Sequence, residues 1–179
     1  NPTQSNHINP INSNDFEIVA GTLKKYRGNS RRVIISEGVV EIADYVFQNM
    51  SYLESIQLPT TLLSIGENVF SECKSLKEIV IPKTVNSIRW EAFSGCTSLT
   101  EITIPNSVTY LGAYVFRNCS NLKKVTLSNN IKEIEVGTFK NCESLLNISI
   151  PESVEIIEED AFGSCKNLKE VYLPHAVEV

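Results

Sequence analysis

Apolar side chains recur along this chain in one order and at one interval. Leu53, Leu76, Leu99, Leu122, Leu145 and Leu168 each open a stretch in which alternate residues are apolar. Two examples are Leu76-Lys77-Glu78-Ile79-Val80-Ile81-Pro82 and Leu99-Thr100-Glu101-Ile102-Thr103-Ile104-Pro105. A period of two marks a β-strand with one buried face. Proline, with a fixed φ and no N–H, stops it. Ser36 and Ser128 hold the proline position in two units, so the stop is a preference. A second apolar set follows: Val85, Ile88, Ala92 and Phe93 in one unit, Val108, Leu111, Val115 and Phe116 in the next. Its spacing of three, four and one predicts a bend and then a short helical or 3₁₀ turn.

The interval is 23 residues: Phe47, Phe70, Phe93, Phe116, Phe139 and Phe162 keep it without insertion or deletion. Three residues after each comes Met50 and then Cys73, Cys96, Cys119, Cys142 and Cys165, which are all five cysteines of the chain. A fixed period in the twenties implies a stacked solenoid, each unit one coil. The expected fold is an α/β-type repeat solenoid. It is a right-handed coil with a parallel β-sheet on one face and short turns, 3₁₀ or helical segments opposite. One coil buries too little to stand alone, and stacking covers both of its faces.

The pattern Leu-x-x-Ile-x-Ile-Pro-x-x-Val-x-x-Ile-x-x-x-Ala-Phe-x-x-Cys-x-x-Leu resembles the bacterial-type leucine-rich repeats called BspA-like. The likeness covers residues 30–179 and recurs in phase. Asp15-Phe16-Glu17-Ile18 through Leu23-Lys24-Lys25-Tyr26-Arg27-Gly28 is similar to the lead-in that precedes the first repeat in that family. Thr84, Ser107 and Asn130 hold the position where the better-known leucine-rich pattern has asparagine, so the curvature of those proteins does not transfer. The resemblance implies a cell-surface or secreted protein that binds host proteins, matrix or glycans. The chain divides into a disordered leader (1–14, rich in Asn, Ser and Pro), a lead-in or cap (15–29) and the array (30–179). The last repeat is incomplete, and further repeats downstream are expected. No apolar run is long enough for a signal peptide or a membrane span.

Composition excludes more than it assigns. The net charge of −5 does not suit a dedicated nucleic-acid binder. Residues 1–36 carry net +3 and residues 143–179 net −6, which fits a solvated outer face before a head-to-tail electrostatic bias or a cation-attracting patch. Asp and Glu lack the spacing of an EF-hand loop. The only histidines are His7 and His175, near the two ends, and no Gly-x-Ser-x-Gly, phosphate-cradling loop or His-Glu-x-x-His occurs. No catalytic activity, cofactor or metal is expected. Met50 shows that the cysteine row accepts a soft apolar side chain without chemistry. The cysteines are therefore expected to be buried and reduced, rather than disulfide-bonded or zinc-bound. Native protein should then titrate near zero thiol, rising to five on denaturation.

What remains is surface. Between the buried strand residues lie Gln57, Glu78 and Val80, Glu101 and Thr103, Lys124 and Thr126, and Tyr172, a shallow platform able to hydrogen-bond at every step. Tyr45, Trp90, Tyr110 and Tyr114 fall where other units carry Glu, Asn, Gly or Ser. Large aromatics there are candidate interface anchors, or they pack along the ridge of the neighbouring coil. Two functions fit: an adhesin-like module binding a protein or glycan outside the cell, or a scaffold or spacer, which could be cytoplasmic.

Overall fold

The structure, a computed structural model, describes residues 13–175. The expected leader, up to residue 12, lies outside them. The array has three sides, and each is built differently.

The first side is the expected one. Three-residue strands, among them Ser55–Gln57, Glu101–Thr103 and Glu170–Tyr172, place one apolar residue inward between two outward ones. Pairing is parallel at an offset of 23, as in Arg32↔Ser55, Glu101↔Lys124 and Asn147↔Glu170. The ladder is not continuous. Unit 78–81 keeps a single bridge, Ser55↔Glu78, to the coil before it. Among the described residues no backbone hydrogen bond joins 78–81 to 101–104, or 124–127 to 147–150.

The second side departs from expectation. In place of a helical turn, the pairs Ser64–Ile65, Ser87–Ile88 and Tyr110–Leu111 form another parallel ladder, which runs on from Glu41–Ile42. Among the described residues the only helical turn is Ser13–Asp15. The spacing of three and four arises from corners. Val85 N–H bonds Pro82 C=O in a tight turn, and so do the equivalents at Leu62, Val108 and Val154. Beyond that corner the N–H groups bond the preceding coil instead of a residue four back, so no helix can start.

The third side carries the phenylalanines. The N–H groups two before, at, and two after each Phe bond carbonyls 22 residues ahead. Glu91, Phe93 and Gly95, for example, donate to Ala113, Val115 and Arg117 at 2.7–3.0 Å. Three such bonds cross each of the five junctions from Phe47 to Phe162, including those where a ladder lapses. This row is the unbroken spine of the array. It requires left-handed backbone at two positions per coil. Tyr45, Asn68, Glu91, Tyr114, Gly137 and Asp160 hold one; Asn49, Glu72, Gly95, Asn118, Asn141 and Ser164 hold the other, with φ between 51° and 74°. Asn, Asp and Gly predominate because they tolerate that region.

Inside, the Phe rings from Phe47 to Phe162 stack with centroids 5.3–5.7 Å apart. Phe16 and Tyr26 extend the stack at 5.0 and 5.2 Å. Those two rings belong to an antiparallel hairpin, β1 (Phe16–Val19) and β2 (Thr22–Tyr26). β2 pairs in parallel with Glu41–Ile42, so the lead-in residues cover the first coil.

Candidate binding surface

On the first side, Gln57, Glu78, Val80, Glu101, Thr103, Lys124 and Thr126 all face solvent. Six of them, Gln57 excepted, line one shallow trough of about 970 Å³ with Pro82, Lys83, Pro105 and Asn129. The trough lies over the lapse between 78–81 and 101–104. Val80 stands in it 82% exposed, more than Ile34 and Tyr172 in the same column, where the remaining coils carry Gln57, Thr103, Thr126 and Ser149. Two carboxylates and two lysines surround it, so it offers both signs of charge and an apolar centre. Ser107 Oγ, on the same lining, is buried without a hydrogen-bond partner. Tyr172, 55% exposed, lies beyond the trough on the last strand.

The other aromatics sit elsewhere. Tyr110, 49% exposed, is the outward residue of a second-side strand, and Trp90, 40% exposed, stands at the corner between the second side and the spine. Tyr45, 52% exposed, and Tyr114 occupy left-handed spine positions. Tyr114 packs: a Cβ on Gly137, one coil on, would fall 2.3 Å from its ring, and the Arg117 guanidinium lies 5.6 Å from the ring centroid. The candidates thus divide among all three sides of the coil. Sequence reasoning missed the groups around Tyr110. Burial, then Glu135, Glu67 and Glu133, push the Tyr110 hydroxyl above its ordinary pKa, and Arg89 opposes them. Offsets of 23 and 25 from Tyr110 would have found Glu133 and Glu135.

The cysteine row has more structure than a filler. Each thiol donates to the Phe carbonyl 26 residues earlier: Cys73 to Phe47, Cys96 to Phe70, Cys119 to Phe93, Cys142 to Phe116 and Cys165 to Phe139, at 3.0–3.2 Å. The residue 26 before Met50 is Lys24, in the hairpin strand β2 and not a phenylalanine of the spine, so the first coil departs from the pattern that the five thiols share. All five cysteines are free. Four are fully buried, and burial pushes their thiols up, to about 12 for Cys73 and Cys119. Cys165 is only half-buried, so the expectation of near-zero native titration is corrected for that thiol. Among the described residues no three His, Cys, Asp or Glu side chains are placed to hold a metal, and no helix is long and apolar enough to cross a membrane.

Compared with known families, residues 25–145 and 64–179 match the BspA type leucine-rich repeat region, in six copies. The chain belongs to that family. A leucine-rich repeat protein from Bacteroides ovatus is 36% identical over 82% of this chain, with a TM-score of 0.79. The T. pallidum leucine-rich repeat protein is 30% identical over 93%, with a TM-score of 0.88. The pneumococcal vaccine antigen PcpA shares the fold at 23% identity over 89% of this chain, with a TM-score of 0.63. This BspA-type array spans 38% of the Bacteroides protein, 83% of the T. pallidum protein and 48% of the pneumococcal one. No curated protein matches the chain.

Proposed function

We propose that this array is a non-catalytic binding module, displayed outside the cell, which grips a protein or glycan partner on the first side of the coil. The observation that carries the reading is the trough over 78–81, 101–104 and 124–127. It places an exposed apolar residue, Val80, among hydrogen-bonding and charged side chains on a rigid repeat. Interfaces of this kind centre on an apolar anchor with a polar rim. The family resemblance supports the extracellular setting.

Two experiments test it. Protease treatment of intact source cells should release the array while cytosolic proteins stay protected; protection until lysis would place the protein inside and refute display. Purified wild type, Val80→Asp and Trp90→Ala should then be applied to arrays of host proteins and glycans. Val80→Asp should lose the captured ligand with its thermal midpoint unchanged, and retained capture would refute the trough as the site. Trp90→Ala reports whether the second side takes part as well.

A further inference from the structure

Charge on this array is sorted by side. The second-side segments (40–45, 63–68, 86–91, 109–114, 132–137 and 155–160) carry ten acidic and two basic side chains, net −8. The first-side segments (31–36, 54–59, 77–82, 100–105, 123–128, 146–151 and 169–174) carry four acidic and six basic, net +2.

Several second-side carboxylates are paired: Glu41 with Arg89, Glu91 with Arg117, Glu155 with Lys132 and Asp160 with Lys140. Around Tyr110 the pairing stops. Glu67, Glu133, Glu135 and Glu158 have no Lys or Arg nitrogen within 4.0 Å among the described residues. Burial, then the neighbouring Glu135 and Glu158, raises the carboxyl of Glu133, and burial with Glu158 raises that of Glu135. The two bases of this side turn elsewhere: Arg89, which acts on Tyr110, reaches to Glu41 at 3.9 Å, and Lys132 to Glu155 at 2.8 Å.

Carboxylates alone would be a solvated face. Here two half-exposed aromatic rings, Trp90 and Tyr110, rise beside them. The neighbouring positions Ser64, Gly66, Ser87, Gly112 and Ala113 are small, and Arg89, between Gly66 and Gly112, reaches away to Glu41. Gly112 is required by packing, because a Cβ there would meet Trp90 N at 2.8 Å. The rings therefore stand over a low floor, roughly 11 Å apart by strand and coil spacing. The second ladder also lapses at this place, between 109–112 and 132–135.

Rings without charge would suit an apolar partner. Rings flanked by unpaired carboxylates fit a side chain with an apolar stem and a cationic head. Lysine and arginine have that form, the stem lying on the ring and the charge meeting both π-face and carboxylate. We propose that the Trp90–Tyr110 side docks a lysine- or arginine-rich segment of a partner protein, a second contact surface distinct from the trough.

Trp90 is the only tryptophan in the chain, so its emission reports this surface directly. Wild-type protein is titrated at low salt with an alternating lysine–glycine decapeptide and, separately, with its glutamate–glycine counterpart. The lysine peptide should give a saturable change that weakens with added salt, and the glutamate peptide none. Glu133→Gln with Glu135→Gln should weaken binding about fivefold or more, as should Tyr110→Ala. Glu54→Gln with Glu170→Gln makes the same charge change on the first side, outside the trough, and should have little effect. Removing repelling carboxylates does not threaten the fold, so these variants remain readable. No saturable change, or equal weakening by both double variants, overturns the proposal. So does self-association in sedimentation that the lysine peptide competes away, which would make the occupant the basic hairpin of a second copy.

Discussion

Raising the pH should unfold this protein through its cysteine row. Four thiols sit fully buried, each donating to a carbonyl of the preceding coil, and burial holds Cys73 and Cys119 near 12. In the unfolded chain a thiol ionises near ~8.5. Between those values the unfolded state releases protons that the folded state keeps, so stability is complete below pH ~8.5 and falls as pH rises. At pH 10 each such thiol costs about 2 kcal/mol. Cys73 and Cys119 together cost about 4 kcal/mol, and the buried Cys96 and Cys142 act in the same direction, against a whole stability of about 5–15 kcal/mol for an ordinary domain. Urea midpoints measured from pH 7 to 10.5 read this directly. Tyrosines and lysines also titrate there, so the decisive quantity is the slope difference between wild type and Cys119→Ala. Losing one thiol should flatten the dependence above pH 9 by about 1.4 kcal/mol per pH unit. In parallel, native protein at pH 8 should show one slowly reactive thiol, Cys165, and five after denaturation. An unchanged slope, or five thiols reacting without denaturant, would refute the sealed row.

Three further outcomes follow from the packing. Phe93→Ala, in the middle of the ring stack, should cost about 3–5 kcal/mol in urea unfolding, and Phe162→Ala clearly less because that ring is only partly buried. Gly112→Ala drives a Cβ against the Trp90 backbone and should cost about 1–3 kcal/mol, whereas a Cβ on Gly38 meets nothing within 4 Å and only the φ of 92° opposes it. Glu135→Gln should raise the thermal midpoint at pH 7, because the folded state disfavours the ionised carboxyl that the unfolded state accepts. That gain should fade as pH falls to the ordinary carboxyl range near ~4.

The first side was legible from the chain because a period of two survives in every unit and Ile79, Ile102 and Ile148 sit inward as the alternation requires. The second side was misread for a physical reason. Val85, Ile88 and Ala92 have helical spacing, yet the spacing counts residues around two corners: Val85 N–H closes a turn on Pro82 C=O, Ala92 N–H closes one on Arg89 C=O, and Ile88 between them lies in the ladder that joins coils. The spine was invisible as such. Its signal was present in the columns Asn68, Gly137, Asp160 and Asn49, Gly95, Asn118, Asn141, which share tolerance of left-handed backbone and not polarity alone. That tolerance also explains why Tyr45 and Tyr114 look out of place. For the candidate surface, the chain identified the outward residues but not their grouping. The trough depends on where ladder bonds lapse, and no residue type marks that. The carboxylates around Tyr110 come together only when coils are set side by side, and the thiol–carbonyl contacts only when a residue is read against one 26 earlier.

Every bond of the spine reaches only the adjacent coil. Each added coil brings about 4.8 Å of height, three main-chain bonds, one more ring in the stack and one more thiol on a carbonyl, and it asks nothing of coils further away. Length is therefore a free variable of this architecture. Whole units of 23 residues can be duplicated or deleted with only the two junctions beside them to remake, whereas a change of a single residue in a unit throws all three sides out of step. One coil design can thus serve both a protein of which this chain spans 83% and another of which it spans 38%.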